Sequence, residues 1–191
     1  MTEREWIRRA QGGDAEAFAA LVRLHQAGVY GLCLRMTGRR EDALDLTSEA
    51  FLRAYRSLAG FDVTQPFRPW LLRIAANLCR DHLRARQQHP APVEDAVLAD
   101  LPDPAPSPPG QVLAAHDRAA VRQAVAELPE PYRTTVTLHY FNQLSYQEIS
   151  EALNIPVGTV GTHLYRAKRL LRQRLVEQEV ATWTPTGAGT T

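Results

Sequence analysis

The sequence predicts an all-α protein in which a flexible, proline-rich linker joins two small helical domains. Apolar residues recur at helical spacings of three and four along both ends of the chain, and the first 86 residues show none of the period-two alternation typical of strands. Seven of the thirteen prolines fall within residues 87–110, where they interrupt the helical pattern. The predicted domains therefore cover residues 1–86 and 111–176, and residues 177–191 form a low-complexity tail that we expect to be disordered.

Four helices are predicted in the first domain, with sequence signals at several of their ends. Thr2 and Glu5 match a capping box at the start of the first helix, and Asp14 matches the cap of the second. Gly38 ends the second helix. On the third helix, Tyr55 is predicted to face the core. The four helices are predicted over about 3–10, 15–38, 41–58 and 68–86.

The segment 87–110 has the composition of an extended linker. It carries four acidic residues and no Lys or Arg. A segment so rich in proline buries too little apolar surface to offset its chain entropy. At polyproline pitch, about 24 residues span on the order of 70 Å, which is roughly two turns of B-DNA.

Charge and cysteine content exclude several classes of protein. The 191 residues have a net charge of only +1, but basic residues are concentrated in the segments 68–86 and 166–174. Cys33 and Cys79 have no spacing that predicts a disulfide framework, and we expect Cys79 to be a small core residue rather than half of a metal site with His82. The sequence opens with no signal peptide, and no apolar run approaches 18 residues. We therefore expect a cytoplasmic protein without membrane insertion.

The sequence lacks the common patterns of an enzyme. It has no glycine-rich phosphate loop, no G-x-S-x-G and no H-E-x-x-H, and its six histidines are scattered. No cofactor or metal site is predicted. Asp42, Asp45 and Glu49 lie close together on the third helix, and paired carboxylates can perform acid–base chemistry in a cleft that shifts their pKa values. We interpret them instead as an exposed acidic stripe that meets solvent or a basic partner.

Residues 144–175 predict a helix-turn-helix. Ser145 and Glu148 match a capping box, and Pro156 separates the first helix from a second that begins at Val157. The buried face of the second helix is predicted to carry Val160, Leu164, Ala167, Leu171 and Leu175. The opposite face carries Thr162, Tyr165, Arg166, Arg169 and Arg172. This pattern is typical of a recognition helix in the DNA major groove. The alternative is an amphipathic surface helix with a solvated basic face.

The fourth helix of the first domain predicts a second DNA-binding surface. One face carries Arg73, Asn77, Arg80 and Arg84, and the region just before it carries Phe61, Phe67 and Trp70. Arginines follow a phosphate backbone, aromatic rings stack on bases and an Asn amide reads a base edge, which together suit a single strand. The alternative is that Phe67 and Trp70 belong to the core and that the arginines are only solvated.

These segments resemble the ECF group of the sigma-70 family, the smallest bacterial RNA polymerase sigma factors. Sigma region 2 is similar to DALDLTSEAFLRAYRSL followed by FRPWLLRIAANLCRDHLR. Region 4 is similar to LPEPYRTTVTLHYFNQLSYQEISEALNIPVGTVGTHLYRAKRLLRQRL. Two such segments in this order, with a linker between them, are highly specific for the family and cover about 15–86 and 112–175.

The resemblance implies a promoter-specificity subunit with three binding surfaces and no catalytic activity of its own. Asp42, Asp45 and Glu49 would dock on the β′ clamp helices of core RNA polymerase, and the β flap of the polymerase is a further implied contact. The unpaired −10 strand would be bound by Phe61, Phe67, Trp70, Arg73, Asn77, Arg80 and Arg84, with Asn77 lining the pocket of a flipped base. The duplex −35 element would be bound by Tyr146, Gln147, Thr159, Thr162, Tyr165, Arg166, Arg169 and Arg172.

Two positions depart from the family pattern. Gly161 stands where a basic or polar residue is often found, and His163 stands where Arg is common, so no −35 sequence preference is implied. Members of the group are often held inactive by an anti-sigma factor, which is a further candidate partner. Two rival classes stay open on the residues alone. One is a stand-alone helix-turn-helix regulator whose first domain senses a ligand or dimerises, and the other is a helical enzyme with a metal or phosphate site.

Overall fold

The structure, a computed structural model, describes residues 1–88 and 111–182 of the chain. The helices in these two ranges are α1 (Glu3–Gln11), α2 (Ala15–Thr37), α3 (Arg40–Ser57), α4 (Phe67–Gln88), α5 (Gln111–Ala126), α6 (Glu130–Val136), α7 (Tyr146–Leu153) and α8 (Val157–Thr182). A 3₁₀ turn (Leu58–Gly60) follows α3, and a π-helical turn (Thr137–Phe141) follows α6. The described residues form no strand, which confirms the all-α class. Most of the predicted linker, residues 89–110, lies outside the described residues.

The capping signals of the sequence are confirmed at three helices. Thr2 Oγ1 accepts a hydrogen bond from the Glu5 N–H, while the Glu5 carboxylate accepts one from the Thr2 N–H. Ser145 and Glu148 form the same reciprocal pair at the start of α7. The Asp14 carboxylate accepts an N–H from the first turn of α2. Such caps satisfy donors that the first turn of a helix otherwise leaves unpaired.

The last helix is longer than the sequence pattern predicts. α8 runs to Thr182, whereas the sequence predicts that this helix ends near Leu175 and that residues 177–191 form a disordered tail. Residues 176–182 contain neither Gly nor Pro, so that nothing in them stops a helix. The remaining residues of the predicted tail, 183–191, lie outside the described part of the chain.

α2 is the central helix of the first unit, which comprises α1 to α4. It packs against the other three helices and buries Leu21, Leu32 and Met36 completely. With a mean hydropathy of 1.3, α2 is also long and apolar enough to cross a membrane. However, 39% of the 18-residue window of α2 that has this mean hydropathy is buried inside the protein. A core helix enclosed by three other helices has the same apolar composition. The packing therefore favours a core helix.

One predicted core residue of α3 lies at the surface instead. Tyr55 is 44% exposed, although its ring packs edge-on against Phe18 with 4.8 Å between the centroids. The buried side of α3 is formed by Ala43, Ala50 and Ala54 among others, and it is too narrow to include Tyr55. A tyrosine at the edge of such a face can bury its ring body and keep its hydroxyl in water.

The second unit, α5 to α8, is built around the predicted helix-turn-helix. Val160, Leu164 and Ala167 are buried, whereas Leu171 and Leu175 are half-buried, so the predicted inner face of α8 is confirmed with burial that decreases along the helix. Asn154 ends α7 in the left-handed conformation, which asparagine adopts more readily than most other residues.

The two units pack against each other. α4 lies against α7, and α2 lies against α5, α6 and the π-helical turn. The Arg35 guanidinium of α2 is 3.8 Å from the centroid of the Phe141 ring. At Gly28 of α2 the Asn142 side chain packs so closely against the helix that a Cβ atom would lie 3.2 Å from Asn142 Oδ1. This contact joins residues from opposite sides of the linker, and no local sequence pattern predicts it.

Candidate nucleic-acid interface

α4 carries the first candidate DNA-binding face. Arg73, Asn77 and Arg84 are exposed, and spacings of four and seven residues place them on one side of the helix. Leu71 and Ala75, which are fully buried, hold the other side in the core and so fix the rotation of the helix. The exposed face consequently offers guanidinium groups on both sides of one amide.

Arg80, predicted on the same face, is half-buried because the second unit contacts it. The Arg80 Nε atom lies 3.4 Å from Glu130 Oε1 at the start of α6. The Thr134 hydroxyl donates to the same carboxylate oxygen at 3.1 Å. Arg80 is therefore paired with an acid of the second unit in this packing. The sequence gives no signal for Glu130, which lies in a short segment between two prolines that predicts only a helix break.

Phe61, which precedes α4, forms a packed cluster with Phe67 and Trp70 in the first turn of α4. Phe61 and Phe67 are 8% and 2% exposed, and the Phe67 ring lies 5.3 to 5.6 Å from the rings of His25, Phe61 and Trp70. Trp70 is half-buried, with its ring 4.7 Å from that of Phe61. Of the three aromatic residues predicted to stack on bases, Phe67 is thus a core residue in this packing, and only Trp70 keeps an accessible part. The cause is the apolar surface that this cluster removes from water.

The loop between the 3₁₀ turn and α4 is organised by Asp62. Its carboxylate accepts hydrogen bonds from the N–H and the hydroxyl of Thr64 at 2.9 and 2.8 Å. The backbone hydrogen bond, followed by the hydroxyl, holds the pKa of the Asp62 carboxyl below its usual value. The loop is therefore anchored at its first turn by a side chain of its own.

A cavity of about 280 Å³ lies between this loop and α7. Trp70 and Arg73 line one wall, and Glu148 and Glu151 of α7 line the other. An aromatic ring beside a guanidinium group suits a nucleobase and its phosphate. Carboxylates repel a phosphate, so the α7 wall makes the recess less favourable for a nucleotide while the units are packed together.

The exposed side of α8 is the second candidate DNA-binding face. Tyr165 is 69% exposed. Thr162, Arg166, Arg169 and Arg172 are also exposed, and Thr159 is half-buried. Tyr146 and Gln147, at the start of α7, are exposed as well. A Cβ atom at Gly161 would lie 3.9 Å from the Tyr146 ring, so that the start of α7 borders the exposed side of α8. The structure thus brings the residues predicted for the −35 element together.

Arg166 has a partner that the sequence pattern does not reveal. Its Nη1 atom donates to the Tyr132 hydroxyl at 3.4 Å, and the Tyr132 ring packs edge-on against the ring of His163 at 5.3 Å. Tyr132 belongs to α6, 34 positions before Arg166. A helical wheel of α8 alone cannot identify it, because the contact is made between helices.

His163 lies on the inner side of α8 rather than on its basic face. It is half-buried, and its Nδ1 atom is 3.3 Å from the Thr135 hydroxyl. Burial, followed by the charge of Arg166, lowers the pKa of His163 below its usual value of 6.5. The imidazole is therefore mainly neutral at pH 7 and adds no cation beside the arginines.

Gly161 leaves room for a side chain. The nearest atom to a Cβ there is Tyr146 Cε2 at 3.9 Å, which is an ordinary van der Waals contact. We expect Gly161→Ala to raise the free energy of unfolding by up to about 1 kcal/mol, because glycine loses extra backbone entropy in a helix. Urea unfolding followed by circular dichroism measures the change. Gly38→Ala is the opposing control and should destabilise the protein, since Gly38 has a φ of 71°. A less stable Gly161→Ala variant would contradict the geometry.

The predicted acidic stripe of α3 is only partly exposed. Asp42 is half-buried, with its Oδ2 atom 3.0 Å from Arg86 Nη1 of α4, so the expectation that Asp42 is an exposed carboxylate is wrong. α3 and α4 pack together, and this ion pair joins the start of one to the end of the other. Asp45 is exposed, and Glu49 pairs with Arg53 one turn later at 2.7 Å. Asp45 and Glu49 therefore remain accessible to a basic partner.

Cys33 and Cys79 are both buried and both reduced, as the sequence predicts for small core residues. Across the residues that the structure describes, no group of three or more His, Cys, Asp or Glu side chains is placed to bind a metal ion.

Comparison with known proteins identifies both units. Residues 21–89 match the model of Sigma-70 region 2, and residues 118–171 match that of Sigma-70, region 4. The chain is 38% identical over 184 residues to the ECF RNA polymerase sigma factor SigW of Bacillus subtilis, which covers 88% of this chain and 94% of SigW. It is 36% identical over 184 residues to the RNA polymerase sigma-H factor of Pseudomonas aeruginosa, covering 91% and 93% of the two chains.

The fold is also found in solved structures. CnrH, solved in complex with the cytosolic domain of CnrY, superposes with a TM-score of 0.69 at 23% identity, covering 92% of this chain and 97% of CnrH. The relatives align along almost their whole length, and regions 2 and 4 follow each other in the order that the sequence predicts. The chain therefore belongs to the ECF group of the sigma-70 family and is an RNA polymerase sigma factor.

Proposed function

We propose that this sigma factor directs core RNA polymerase to promoters by binding two DNA elements with two separate units, and that it has no catalytic activity of its own. The observation that carries the proposal is the presence on one chain of two exposed faces with different DNA-binding chemistry. The face of α4 combines arginines with an amide beside a tryptophan, and the face of α8 is a basic recognition helix. A stand-alone helix-turn-helix regulator needs only the second.

We assign the duplex −35 element to α8 and the start of α7. Direct readout of a duplex needs side chains at the N-terminal part of a recognition helix for base edges, and cations further along it for phosphates. Thr159, Thr162 and Tyr165 occupy the first part of α8, and Arg169 and Arg172 follow it. Arg166 lies between the two groups, and its contact with Tyr132 restricts its guanidinium before DNA is bound.

We assign the unpaired −10 strand to α4 and the recess beside it. Asn77 supplies a donor and an acceptor for a base edge, Arg73 and Arg84 supply phosphate contacts, and Trp70 supplies a ring for stacking. A surface that binds the strand only after unpairing shifts the melting equilibrium towards the open state. Promoter opening then requires no covalent chemistry from the sigma factor.

We propose that α3 is the surface that docks on the β′ clamp helices, while the second unit meets the β flap. Asp45 and Glu49 lie on α3 together with Leu44 and Leu52, which are 48% and 44% exposed. Apolar side chains beside accessible carboxylates form the kind of patch that binds a partner with a basic rim. A second proposed partner, in the cytoplasm, is an anti-sigma factor, since the sigma factor RpoE of Bartonella quintana, whose fold is similar, was solved in complex with the anti-sigma factor NepR.

In the proposed function, the two units must separate before the DNA-binding faces of α4 and α8 can both bind DNA. The Arg80–Glu130 pair is one contact that holds the units together, and it is only about one-third exposed. We expect Glu130→Gln to strengthen binding of a −10 single strand by the full chain by up to about fivefold at low salt, because such a pair contributes at most about 1 kcal/mol. Fluorescence anisotropy measures the affinity.

Salt provides the internal check of this prediction, because screening weakens the same ion pair in the wild-type chain. The gain from Glu130→Gln should therefore shrink as salt is added. Glu41→Gln, an exposed neutralisation on α3, is the matched control for the change in net charge. An equal gain in both variants would mean that net charge, rather than release of Arg80, is responsible.

Run-off transcription with purified core polymerase and a genomic promoter library tests the proposed function. The full chain should select a set of fragments that share two elements at a fixed separation and should start transcripts from them. A stand-alone regulator would instead bind duplex DNA tightly by itself and show no association with core polymerase. Failure to associate with core polymerase would overturn the proposal.

A further inference from the structure

α1 lies outside the residues matched to either sigma region, yet it contacts the loop that precedes α4. Gln11, its last residue, donates from Nε2 to the carbonyl oxygens of Leu58 at 3.0 Å and of Phe61 at 2.7 Å. These acceptors lie 47 and 50 positions further along the chain. An amide nitrogen has two hydrogens, so both donors of Gln11 are used, one on the 3₁₀ turn and one on Phe61, which directly follows it.

The other end of α1 is linked to the aromatic cluster of Phe61, Phe67 and Trp70. Glu3 Oε1 lies 2.6 Å from His25 Nε2, and the His25 ring packs 5.3 Å from the ring of Phe67. His25 is almost enclosed, with 10% of its side chain exposed. α1 is therefore bonded to the backbone of Phe61 and is linked through His25 to the Phe67 ring.

We infer that Gln11 is a positioning residue for the −10 strand. Its amide fixes the turn that ends at Phe61, and Phe61 packs against Trp70, whose ring lines the recess beside Arg73. The inference rests on the proposed function, since it assigns a role to a residue behind the strand-binding surface. A recess that is already formed loses less entropy when it binds a strand than one whose wall must first be ordered.

The effect of Gln11 should be local. Gln11 sits at the end of α1 and is half-buried, so its two hydrogen bonds concern one turn and not the whole core. A purely structural residue would lower the stability of the unit and reduce all of its activities together. A positioning residue changes strand binding while −35 binding by the second unit is unaffected.

Gln11→Glu tests the inference with almost no change of shape. The carboxylate replaces a donor by an acceptor opposite two carbonyl oxygens, so both hydrogen bonds are lost. Gln26→Glu is the matched control, because Gln26 is an exposed glutamine of the same unit and the change adds the same charge. Both variants are studied as full chains, free and bound to core polymerase.

Two measurements on the variants test the order of the turn and strand binding at the recess separately. Hydrogen exchange of the free chain should be faster across residues 58–64 in Gln11→Glu than in the wild type or in Gln26→Glu. Holoenzyme affinity is measured for a labelled oligonucleotide carrying the non-template −10 strand of a promoter recovered by run-off transcription. We expect roughly tenfold weaker strand binding for Gln11→Glu, because each lost hydrogen bond costs a factor of a few to about ten. Its affinity for the −35 duplex should stay within about twofold.

Each other outcome overturns the inference in a recognisable way. Unchanged exchange would mean that Gln11 does not hold the turn. Faster exchange with unchanged strand binding would mean that the turn does not position the recess. Equal losses of strand and −35 duplex binding, with a lower melting temperature, would reveal a structural residue. If the wild-type holoenzyme selects no promoter at all, the proposed function fails first and the inference fails with it.

Discussion

Replacing Asn77 by alanine is expected to reduce promoter opening by the holoenzyme roughly 5- to 150-fold, which corresponds to about 1–3 kcal/mol for the loss of a bidentate base contact. Asn77 is the exposed amide that lies between Arg73 and Arg84 on α4. The flanking arginines should keep their proposed phosphate contacts in the variant, so the loss should concern recognition of the base rather than general affinity. Because the base is reached only after unpairing, the effect should be seen in opening and not in duplex binding.

Permanganate reactivity of unpaired thymines measures opening, and anisotropy of a labelled −35 duplex measures binding. Gln87→Ala, which removes an exposed amide from the last turn of α4, is the matched control and should open promoters as the wild type does. If Asn77→Ala lost −35 duplex binding as much as promoter opening, the proposed division between strand binding by α4 and duplex binding by α8 would be contradicted.

Arg166→Ala is expected to weaken binding of a −35 duplex by roughly 5- to 150-fold, or about 1–3 kcal/mol. Arg166 is exposed on α8, and its Nη1 atom donates a hydrogen bond to the Tyr132 hydroxyl of α6. A guanidinium restricted in this way loses less side-chain entropy on binding than a free one. Promoter opening should fall only because less polymerase is recruited, and saturating concentrations of holoenzyme should restore it.

The slope of affinity against salt distinguishes a base contact from a phosphate contact. Loss of one phosphate contact reduces the slope by about 1, whereas loss of a base contact leaves the slope unchanged and relaxes sequence preference. Arg23→Ala removes an exposed arginine from α2 of the first unit, and it should leave −35 binding unchanged. If both arginine variants weaken binding equally, the contact of Arg166 is only part of a general basic surface.

The sequence by itself determines the helices, several of their starts and most of both candidate DNA-binding faces. Thr2, Asp14 and Ser145 predict where helices begin, because capping is a local interaction between residues a few positions apart. The inner face of α8 follows from its periodicity, since a helix places every third or fourth residue on one side. The same periodicity places Arg73, Asn77 and Arg84 together on α4.

Only the tertiary structure decides what each of these faces meets. Phe67 enters the core, which is one of the two alternatives that the sequence leaves open. Asp42 pairs with Arg86 and Arg80 pairs with Glu130, although the sequence predicts both as surface groups. Gln11 is bonded to a turn about 50 positions away, and Tyr132 holds Arg166 from another helix. The physical reason is that a local pattern reports the direction of a side chain around its own helix. The burial and charge pairing of that side chain depend on elements that the pattern does not include.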